Sequence, residues 1–287
     1  MNNIPPAPQI IFAPAKVNLF LHVTGKADNG HHLLQSLITF ADFGDVVEVQ
    51  RSNAPLSLSF KQPHADLGNN ADNLIIKAAQ FIADQSGKPT DVAVTLTKNI
   101  PVGAGLGGGS ADAAATIKGL LALWQEDFSD IKSLTVLGAD VPVCYYGQSA
   151  MVEGIGENII PSPTLPKMEA VLIYPNAFCS TAEIFKNFDG NFSQAVSLPE
   201  QFADQNDLFD FLLDQQNDLT DAAYRHLPVI KECIYKLSEQ QGCRISRMSG
   251  SGSACFGLFE TKQQSENAAA IIKRQKPDWW VRPVVLG

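Results

Sequence analysis

The chain has 287 residues, of which 45% are hydrophobic and 18% charged, and its formal net charge is −9. Its length exceeds the usual size of one hydrophobic core and predicts two domains, while the acidic balance argues against a general nucleic-acid or anionic-membrane surface. The five cysteines are odd in number and contain no C-x-x-C pair, which argues against a disulfide framework or a zinc site.

The N-terminal stretch MNNIPPAPQIIF carries no basic region before an apolar run, and no segment approaches the roughly 18 apolar residues that a membrane helix needs. We therefore expect a protein that is neither secreted nor membrane-spanning. The cysteine usage fits a reducing environment, so cytoplasmic is the localisation that we predict.

Strand and helix signals alternate irregularly through the first half of the chain. The apolar text at 10–23 predicts a strand that ends in a turn-rich loop, and 45–50 and 56–60 predict two strands joined as a hairpin. Residues 71–87 have helical spacing and end on a glycine, and 91–97 place alternate apolar residues on one face of a strand. This half predicts a mixed domain without a regular βαβ order.

A proline-rich segment separates the two halves. Helices are predicted from Ser110 to about 124 and over 129–137, and GADVPV predicts a tight turn. The text PSPTLPK at 161–167 then concentrates three prolines and is the best linker candidate. We place the boundary there, which predicts domains 1–160 and 161–287.

Strands and helices also mix beyond this boundary. Residues 170–175 predict a strand, and 207–240 predict two helices that are interrupted near Pro228. The text RISRMSGSGSACFGLF at 244–259 predicts a strand, a glycine turn and a second strand. Together, the two halves predict an α+β fold.

The stretch PVGAGLGGGSADAAA, at 101–115, holds five of the 21 glycines within seven residues, directly before an alanine-rich helix. Glycines let main-chain N–H groups converge on a ligand, and a helix N-terminus adds unpaired donors with roughly half a positive charge. A phosphate suits such a cradle. Close helix-on-strand packing or a plain turn is the alternative interpretation.

Two common nucleotide motifs fit this stretch poorly. Gly103, Gly105 and Gly108 satisfy the dinucleotide pattern G-x-G-x-x-G, but Glu126 and Asp127, about 20 residues on, lie in polar, helical text and not at the end of a buried strand. An oxidoreductase of that kind stays an open alternative. No Gly-Lys-Ser/Thr ends the glycine run, so a P-loop is weaker still.

The text PVGAGLGGG fits throughout the pattern P-x-G-x-G-L-G-[SG]-[SG] of the GHMP small-molecule kinases, which the chain resembles. Two further signatures of that family, PAKVNLFLHV near the N-terminus and MSGSGSACFG at 248–257, extend the resemblance to both ends of the chain. The resemblance implies a two-domain α+β kinase with a ribosomal S5 domain 2-like N-terminal domain and a ferredoxin-like C-terminal domain. It also implies ATP and Mg²⁺ as cofactors.

Within the family, the combination of GHHLLQS at 30–36 with GLGGGSADAA, GADVP and NDL is similar to members of the non-mevalonate isoprenoid precursor pathway. That similarity implies phosphorylation of the 2-hydroxyl of a small-molecule substrate, diphosphocytidyl methylerythritol. No nucleic-acid or membrane partner is expected. A homoserine or mevalonate kinase of the same family stays open, as does a non-catalytic nucleotide-sensing relative.

The resemblance assigns the ATP phosphates to the main chain of the stretch 101–111, which we name the glycine loop. Its residues are Pro101, Val102, Gly103, Ala104, Gly105, Leu106, Gly107, Gly108, Gly109, Ser110 and Ala111. Ser110 offers its hydroxyl to phosphate or Mg²⁺, or it caps the following helix. Other family members carry serines at the positions of Gly108 and Gly109, one of which contacts the metal, so we assign no protein ligand to the metal.

The resemblance also implies a catalytic pair. Asp140 matches the family's catalytic aspartate, which accepts the proton of the substrate hydroxyl, although an Asp two residues before a proline also fits a turn or a helix cap. Lys16 is a lone cation in an apolar run and needs an anionic partner, unless it points to solvent from an edge strand. The resemblance places Lys16 beside Asp140, where it stabilises charge on the transferred phosphoryl group.

Two segments are expected to bind the polar part of the acceptor substrate. Asn18 shares a strand face with Lys16 and is expected to orient the hydroxyl or the diphosphate. The turn at 249–252, which we name the glycine turn, offers donors to the diphosphate. Its residues are Ser249, Gly250, Ser251 and Gly252. A simple glycine hairpin remains the alternative for this turn.

Three rings are expected to bind the cytosine base by the same resemblance. His32 hydrogen-bonds with the base, His31 stacks on it from a position where the family usually has tyrosine, and Phe185 forms the opposite face. From sequence alone, Phe185 fits an apolar core, and the adjacent histidines lack a third residue at the spacing of a metal site.

Overall fold

The structure is a computed structural model that describes residues 7–28, 30–62 and 71–287. Its residues form two compact units that interleave in sequence. The first unit comprises the described residues of Met1–Ala15, Gly44–Val102 and Gly107–Gly147, and the second unit comprises those of Lys16–Phe43, Gly103–Leu106 and Gln148–Gly287. The division into domains 1–160 and 161–287 stays a prediction.

The elements mix strands and helices along the whole described chain. The strands are β1 Gln9–Asn18, β2 His22–Lys26, β3 His32–Arg51, β4 Ser57–Phe60, β5 Val92–Thr97, β6 Ala150–Gly154, β7 Asn158–Pro161, β8 Met168–Tyr174, β9 Cys243–Met248, β10 Cys255–Phe259 and β11 Trp280–Leu286. The helices are α1 Leu74–Ser86, α2 Gly108–Trp124, α3 Val141–Tyr146, α4 Thr181–Lys186, α5 Gln205–Leu213, α6 Thr220–His226, α7 Val229–Ser238 and α8 Lys262–Gln275, with a short 3₁₀ helix at Ile131–Val136.

The sheet of the first unit is built around β5. Its alternate residues Val92, Val94 and Leu96 are buried, as the strict alternation in sequence predicts. The second half of β3 pairs with β5 antiparallel, and β4 pairs with β5 parallel. The predicted hairpin of 45–50 with 56–60 is therefore wrong. Because α1 lies between β4 and β5 in sequence, the chain makes a β–α–β crossover there, which requires parallel strands.

Helix α1 confirms the helix predicted over 71–87. The side chain of Asn73 accepts a hydrogen bond from the N–H of Ile75 and caps the N-terminus, and Gly87 ends the helix at a φ of 61°. Its buried residues face α2, which packs against it within the first unit.

The text after α2 folds differently from the prediction. The polar helix predicted over 129–137 is only the short 3₁₀ helix, whose N-cap is Asp130. The tight turn predicted in GADVPV continues as α3, with Pro142 in its first turn, where a missing N–H costs nothing. Asp140 thus stands at the start of a helix.

The second unit contains an antiparallel sheet in the order β11-β8-β10-β9. The connection order, β8, helices, β9, β10, α8 and β11, is that of a ferredoxin-like layer. Helices α7 and α8 pack on this sheet and bury a common apolar core that includes Ile230, Leu237 and Ile272. The predicted α+β class and the predicted strand–turn–strand at 244–259 are confirmed.

Two predictions in the second unit need correction. The single strand predicted over 10–23 is divided into β1 and β2, because Leu21 leaves the strand path and exchanges main-chain hydrogen bonds with Gln216 and Asp218. The two helices predicted over 207–240 are three helices, α5 to α7. Sequence analysis also missed the β6–β7 hairpin, α4, α8 and β11.

Candidate active site

The glycine loop is shaped by three alternating glycines. Gly103, Gly105 and Gly107 have φ values of 75°, 81° and 66°, in the left-handed region that L side chains rarely adopt. At Gly105, an added Cβ would lie 2.2 Å from the carbonyl oxygen of Gly252. Main chain therefore meets main chain at this point of the second unit, and only glycine fits there.

The end of the glycine loop, in the first unit, is the N-terminus of α2. Gly107 is its N-cap, and in the described residues no side chain caps this end. The first helical N–H that bonds within the helix is that of Ala111, which donates to the Gly107 carbonyl at 2.8 Å. The N–H groups of the residues before it are the unpaired donors of a helix start, as a phosphate site requires.

Ser110 does not cap α2. The helix begins at Gly108, two residues earlier than predicted, so Ser110 is the third helical residue. The alternative that Ser110 serves as the N-cap is therefore wrong. Because glycine holds the cap position, no side-chain oxygen competes with a ligand for the first N–H groups of the helix.

The glycine turn lies against the glycine loop within the second unit. The N–H of Ala254 donates to the carbonyl of Ala104 at 2.8 Å, and the N–H of Gly252 donates to the carbonyl of Ser249 at 3.0 Å. The buried side chain of Asn217 donates to the carbonyls of Met248 and Gly250 at 2.9 and 2.7 Å. Asn217 thus fixes the turn.

Sequence analysis did not predict that Asn217 holds the glycine turn. It noted the motif NDL only as a family signature and gave Asn217 no task. Its position within the predicted helical stretch 207–240 gave no signal of this role, which follows from burial, because a buried amide needs hydrogen-bond partners on both its oxygen and its nitrogen. Its oxygen accepts from the N–H of Leu219 at 3.0 Å.

Lys16 and Asn18 lie buried at the end of β1, where they are 3% and 4% exposed. The Lys16 ammonium donates to Asn18 Oδ1 at 2.8 Å, and Asn18 Nδ2 donates to the hydroxyl of Ser36 at 2.8 Å. The predicted shared face of the two residues is confirmed by this contact. The alternative of a solvent-facing Lys16 is wrong.

The same strand end connects the glycine loop to the glycine turn. The N–H of Lys16 donates to the carbonyl of Leu106 at 2.9 Å, and the N–H of Asn18 donates to the hydroxyl of Ser249 at 3.1 Å. An added Cβ at Gly250 would lie 3.1 Å from Asn18 Oδ1. The second unit therefore brings a buried ammonium, an amide and two glycine-rich segments together.

Asp140 occupies the N-cap position of α3 in the first unit, with a half-buried side chain. Its side chain makes no capping hydrogen bond, so the alternative of a helix cap does not account for the carboxylate. Lys16 belongs to the second unit, and the pairing of Lys16 with Asp140 stays a prediction.

The rings assigned to the base lie together in the second unit. The rings of His32 and Phe185 stack with centroids 5.2 Å apart, and Phe188, which sequence analysis missed, meets His32 edge-on at 5.7 Å. Burial, with a contribution from Lys26, lowers the pKa of His32, which favours the neutral ring with one donor and one acceptor. His31 is exposed beside it.

A buried charge cluster lies next to the glycine loop in the first unit. Lys98 Nζ is 2.5 Å from Asp45 and 2.7 Å from Asp112, and all three side chains are at most 5% exposed. Asp45 also accepts the N–H groups of Asn99 and Ile100. We name these three charged residues the buried cluster. Sequence analysis missed it, although Asp112 is a lone charge among alanines.

Neither a metal cluster nor a membrane helix is found in the described part of the chain. No three His, Cys, Asp or Glu residues are arranged there to hold a metal ion. No helix in residues 7–28, 30–62 and 71–287 combines the length and the apolar composition that crossing a membrane requires.

Comparison with known proteins identifies the family. The model of the GHMP kinases N terminal domain matches residues 73–148, and that of the GHMP kinases C terminal matches 201–278. The 4-diphosphocytidyl-2-C-methyl-D-erythritol kinase of Roseobacter denitrificans is 42% identical over 98% of this chain and 95% of its own. A crystal structure of 4-(cytidine 5'-diphospho)-2C-methyl-D-erythritol kinase aligns with a TM-score of 0.79, at 30% identity over 97% and 99% of the two chains.

A structure with much lower sequence identity shares the fold. Homoserine kinase from Cytophaga hutchinsonii aligns with a TM-score of 0.67 over 99% of this chain and 96% of its own, but at only 15% identity, which shows a shared fold alone. With both family models matched and a relative 42% identical along nearly its whole length, the chain belongs to the GHMP kinases.

Proposed function

We propose that the chain transfers the γ-phosphoryl group of ATP to the 2-hydroxyl of 4-diphosphocytidyl-2-C-methyl-D-erythritol. The observation that carries the proposal is the buried Lys16–Asn18 pair, whose main chain bonds to the glycine loop on one side and the glycine turn on the other. The relatives with 40 to 42% identity bear the name of this kinase, which selects the acceptor.

The glycine loop binds the phosphates of ATP. Its positive-φ glycines expose the main chain, and the uncapped start of α2 presents N–H groups and the positive end of the helix dipole. The net charge of −9 gives no long-range attraction for a triphosphate, so local donors must supply the binding energy.

Transfer requires an acceptor hydroxyl that is aligned and deprotonated. Asp140 takes the hydroxyl proton as general base, which is typically worth about 10² to 10⁴ in rate. Lys16 stabilises negative charge on the attacking oxygen and on the transferred group, and Asn18 orients the acceptor. Transfer is direct, without a phosphoenzyme, because these residues serve positioning and proton removal rather than nucleophilic attack.

Mg²⁺ would be carried chiefly by the nucleotide, and no protein ligand is assigned to it. In the described residues, no three His, Cys, Asp or Glu residues are arranged to hold the ion. Such a site suits Mg²⁺, which keeps water and phosphate ligands and takes few from protein. When bound, the ion neutralises phosphate charge.

The acceptor is held at its two ends. The glycine turn binds the diphosphate through main-chain and hydroxyl donors, and the ring group of His32, Phe185 and Phe188 binds the cytosine, with His31 beside it. Because the rings of His32 and Phe185 already touch, the base stacks on a ring face that this pair leaves open. Cytoplasmic localisation and the lack of nucleic-acid or membrane partners stay predictions.

The decisive experiment incubates the chain with Mg-ATP and diphosphocytidyl-methylerythritol and measures product mass. A product heavier by one phosphate, with one ADP released per product, is expected. Homoserine and mevalonate serve as alternative acceptors, and ADP release with either in place of the first would reassign the substrate. Nucleotide binding without turnover of any acceptor would instead support a nucleotide-sensing relative.

The role of Asp140 has its own test. Asp140→Asn keeps the size of the side chain but removes the base, so nucleotide binding is retained and turnover falls by about 10² to 10⁴. Asp130→Asn makes the same change on an exposed residue of the first unit and serves as the control. Full turnover in Asp140→Asn would reject the general-base assignment.

A further inference from the structure

The buried cluster contains one cation and two carboxyl groups. Lys98, Asp45 and Asp112 have side-chain exposures of 4%, 0% and 5%. If both carboxyl groups were ionised, a net negative charge would be buried, which is strongly unfavourable without a further partner. A single proton on one of the two carboxyl groups makes the cluster neutral.

The hydrogen bonds favour Asp112 as the carboxyl group that carries this proton. Asp45 is fully used as an acceptor, since it receives the Lys98 ammonium and the N–H groups of Asn99 and Ile100. Asp112 receives Lys98 on Oδ2 only, and its buried Oδ1 has no partner in the described residues. A carboxylate oxygen left in this state costs its full desolvation, so protonation is favoured on Asp112.

The local charges agree with this assignment. Burial raises the pKa of Asp112 to about 8; the charge of Lys98 opposes this rise, and the negative charge of Asp45 adds to it. Lys98 and Asp45 are the charged groups of the described chain that act on Asp112. Helix α1 packs against α2, and its buried residues, which include Ile75, Ala78 and Ile82, are all uncharged.

The cluster joins the two ends of the glycine loop. Asp45 binds the N–H groups just before Pro101, and an added Cβ on Gly108 would lie 2.9 Å from Lys98 Nζ. Asp112 is the fifth residue of α2, close to the donors at the helix start. A negative charge there would offset the positive end of the helix and repel a phosphate.

We infer that Asp112 is a positioning residue of the glycine loop that acts as a neutral, protonated acid, and that its ionisation weakens nucleotide binding. The inference rests on the proposed function only in naming ATP as the ligand. By linkage, nucleotide binding must hold the proton on Asp112 more tightly.

Calorimetric titration with a non-hydrolysable ATP analogue and Mg²⁺ tests this at pH 7.0, 8.0 and 9.0. In the unmodified chain, we expect Kd to rise about fivefold between pH 7.0 and 9.0, the result of one pKa unit of coupling to a carboxyl group with a pKa of about 8. Asp112→Asn mimics the protonated acid and removes this rise. Asp91→Asn, the same change on an exposed residue of the first unit, behaves as the unmodified chain.

Failure of this inference and failure of the proposed function give different results. Equal pH dependence in Asp112→Asn and the unmodified chain would overturn the inference and leave the kinase proposal intact. No nucleotide binding at any pH would reject the proposed function. If Asp112→Asn does not fold, ¹³C NMR of the Asp carboxyl carbons in the unmodified chain decides: a buried carboxyl titrating near pH 8 supports the inference, and titration of all of them below pH 5 overturns it.

Discussion

The glycine loop and the glycine turn have similar composition but different construction. The loop ends at a helix start that no described side chain caps, so its donors are left for a ligand. The turn is held by side-chain hydrogen bonds. The side-chain amide of Asn217 donates to the carbonyls of Met248 and Gly250, and the hydroxyl of Ser249 accepts from the N–H of Asn18. The loop therefore leaves main-chain N–H groups at a helix start, whereas the backbone of the turn is held in place by side chains.

Lys16 lies between these two segments, and its removal should have the largest effect on catalysis. Lys16→Met keeps the main-chain bond to Leu106 but removes the ammonium. We expect kcat to fall by about 10³, or roughly 4 kcal/mol, because charge on the phosphoryl group loses its stabilisation. Steady-state kinetics measures kcat, and calorimetry should show retained ATP binding. Unchanged kcat would remove Lys16 from the chemistry.

Gly105→Ala should break the contact between loop and turn. The residue has a φ of 81°, and its new Cβ would lie 2.2 Å from the Gly252 carbonyl oxygen. Left-handed strain alone costs about 1–3 kcal/mol, and the clash adds to it. We therefore expect a lower free energy of unfolding, measured by urea unfolding, and weaker ATP binding, measured by calorimetric titration.

Gly109→Ala is the matched control, because its new Cβ meets nothing within 4 Å. Its free energy of unfolding should change by less than about 0.5 kcal/mol. Similar losses in Gly105→Ala and Gly109→Ala would contradict the close approach of the two main chains.

Asn217→Ala should loosen the turn without touching the loop. Two carbonyls lose their donor and the N–H of Leu219 loses its acceptor, so we expect a loss of about 1–3 kcal/mol in the free energy of unfolding. KM for the acceptor should rise more than KM for ATP. The exposed Asn267→Ala serves as control, and an equal rise in both KM values would argue against a turn-specific role.

Ser249→Ala should have the smallest effect. Only the acceptor for the N–H of Asn18 is lost, while the main-chain bonds of the turn remain. We expect about 0.5–1.5 kcal/mol of destabilisation and a modest rise in KM for the acceptor, measured by thermal unfolding and kinetics. A larger loss than in Asn217→Ala would reverse the order of importance within the turn.

Local patterns in the sequence predicted local structure well. The alternation of Val92, Val94 and Leu96 identifies β5, and the helical spacing over 71–87 with its terminal Gly87 identifies α1, because each signal lies within a few residues of its effect. The shared strand face of Lys16 and Asn18 followed from the two-residue period of a strand.

Contacts between distant residues were not predictable in this way. The parallel pairing of β4 with β5 depends on a crossover through α1, and neither strand carries a mark of its partner's direction. The buried cluster joins Lys98 to Asp45 across 53 residues, and Asn217 reaches Met248 across 31. A single sequence gives no signal for such pairings until the strands are placed.

The approach of Gly105 to Gly252 also bears on inhibitor resistance. An added Cβ would meet the Gly252 carbonyl at Gly105, the sulfur of Met248 at Gly252, at 2.8 Å, and the ring of Phe178 at Gly103, at 2.9 Å. A compound that recognises the main chain here binds atoms that substitution of a side chain does not remove. Escape from such a compound would have to arise through residues further away, since substitution at these glycines would first damage the fold.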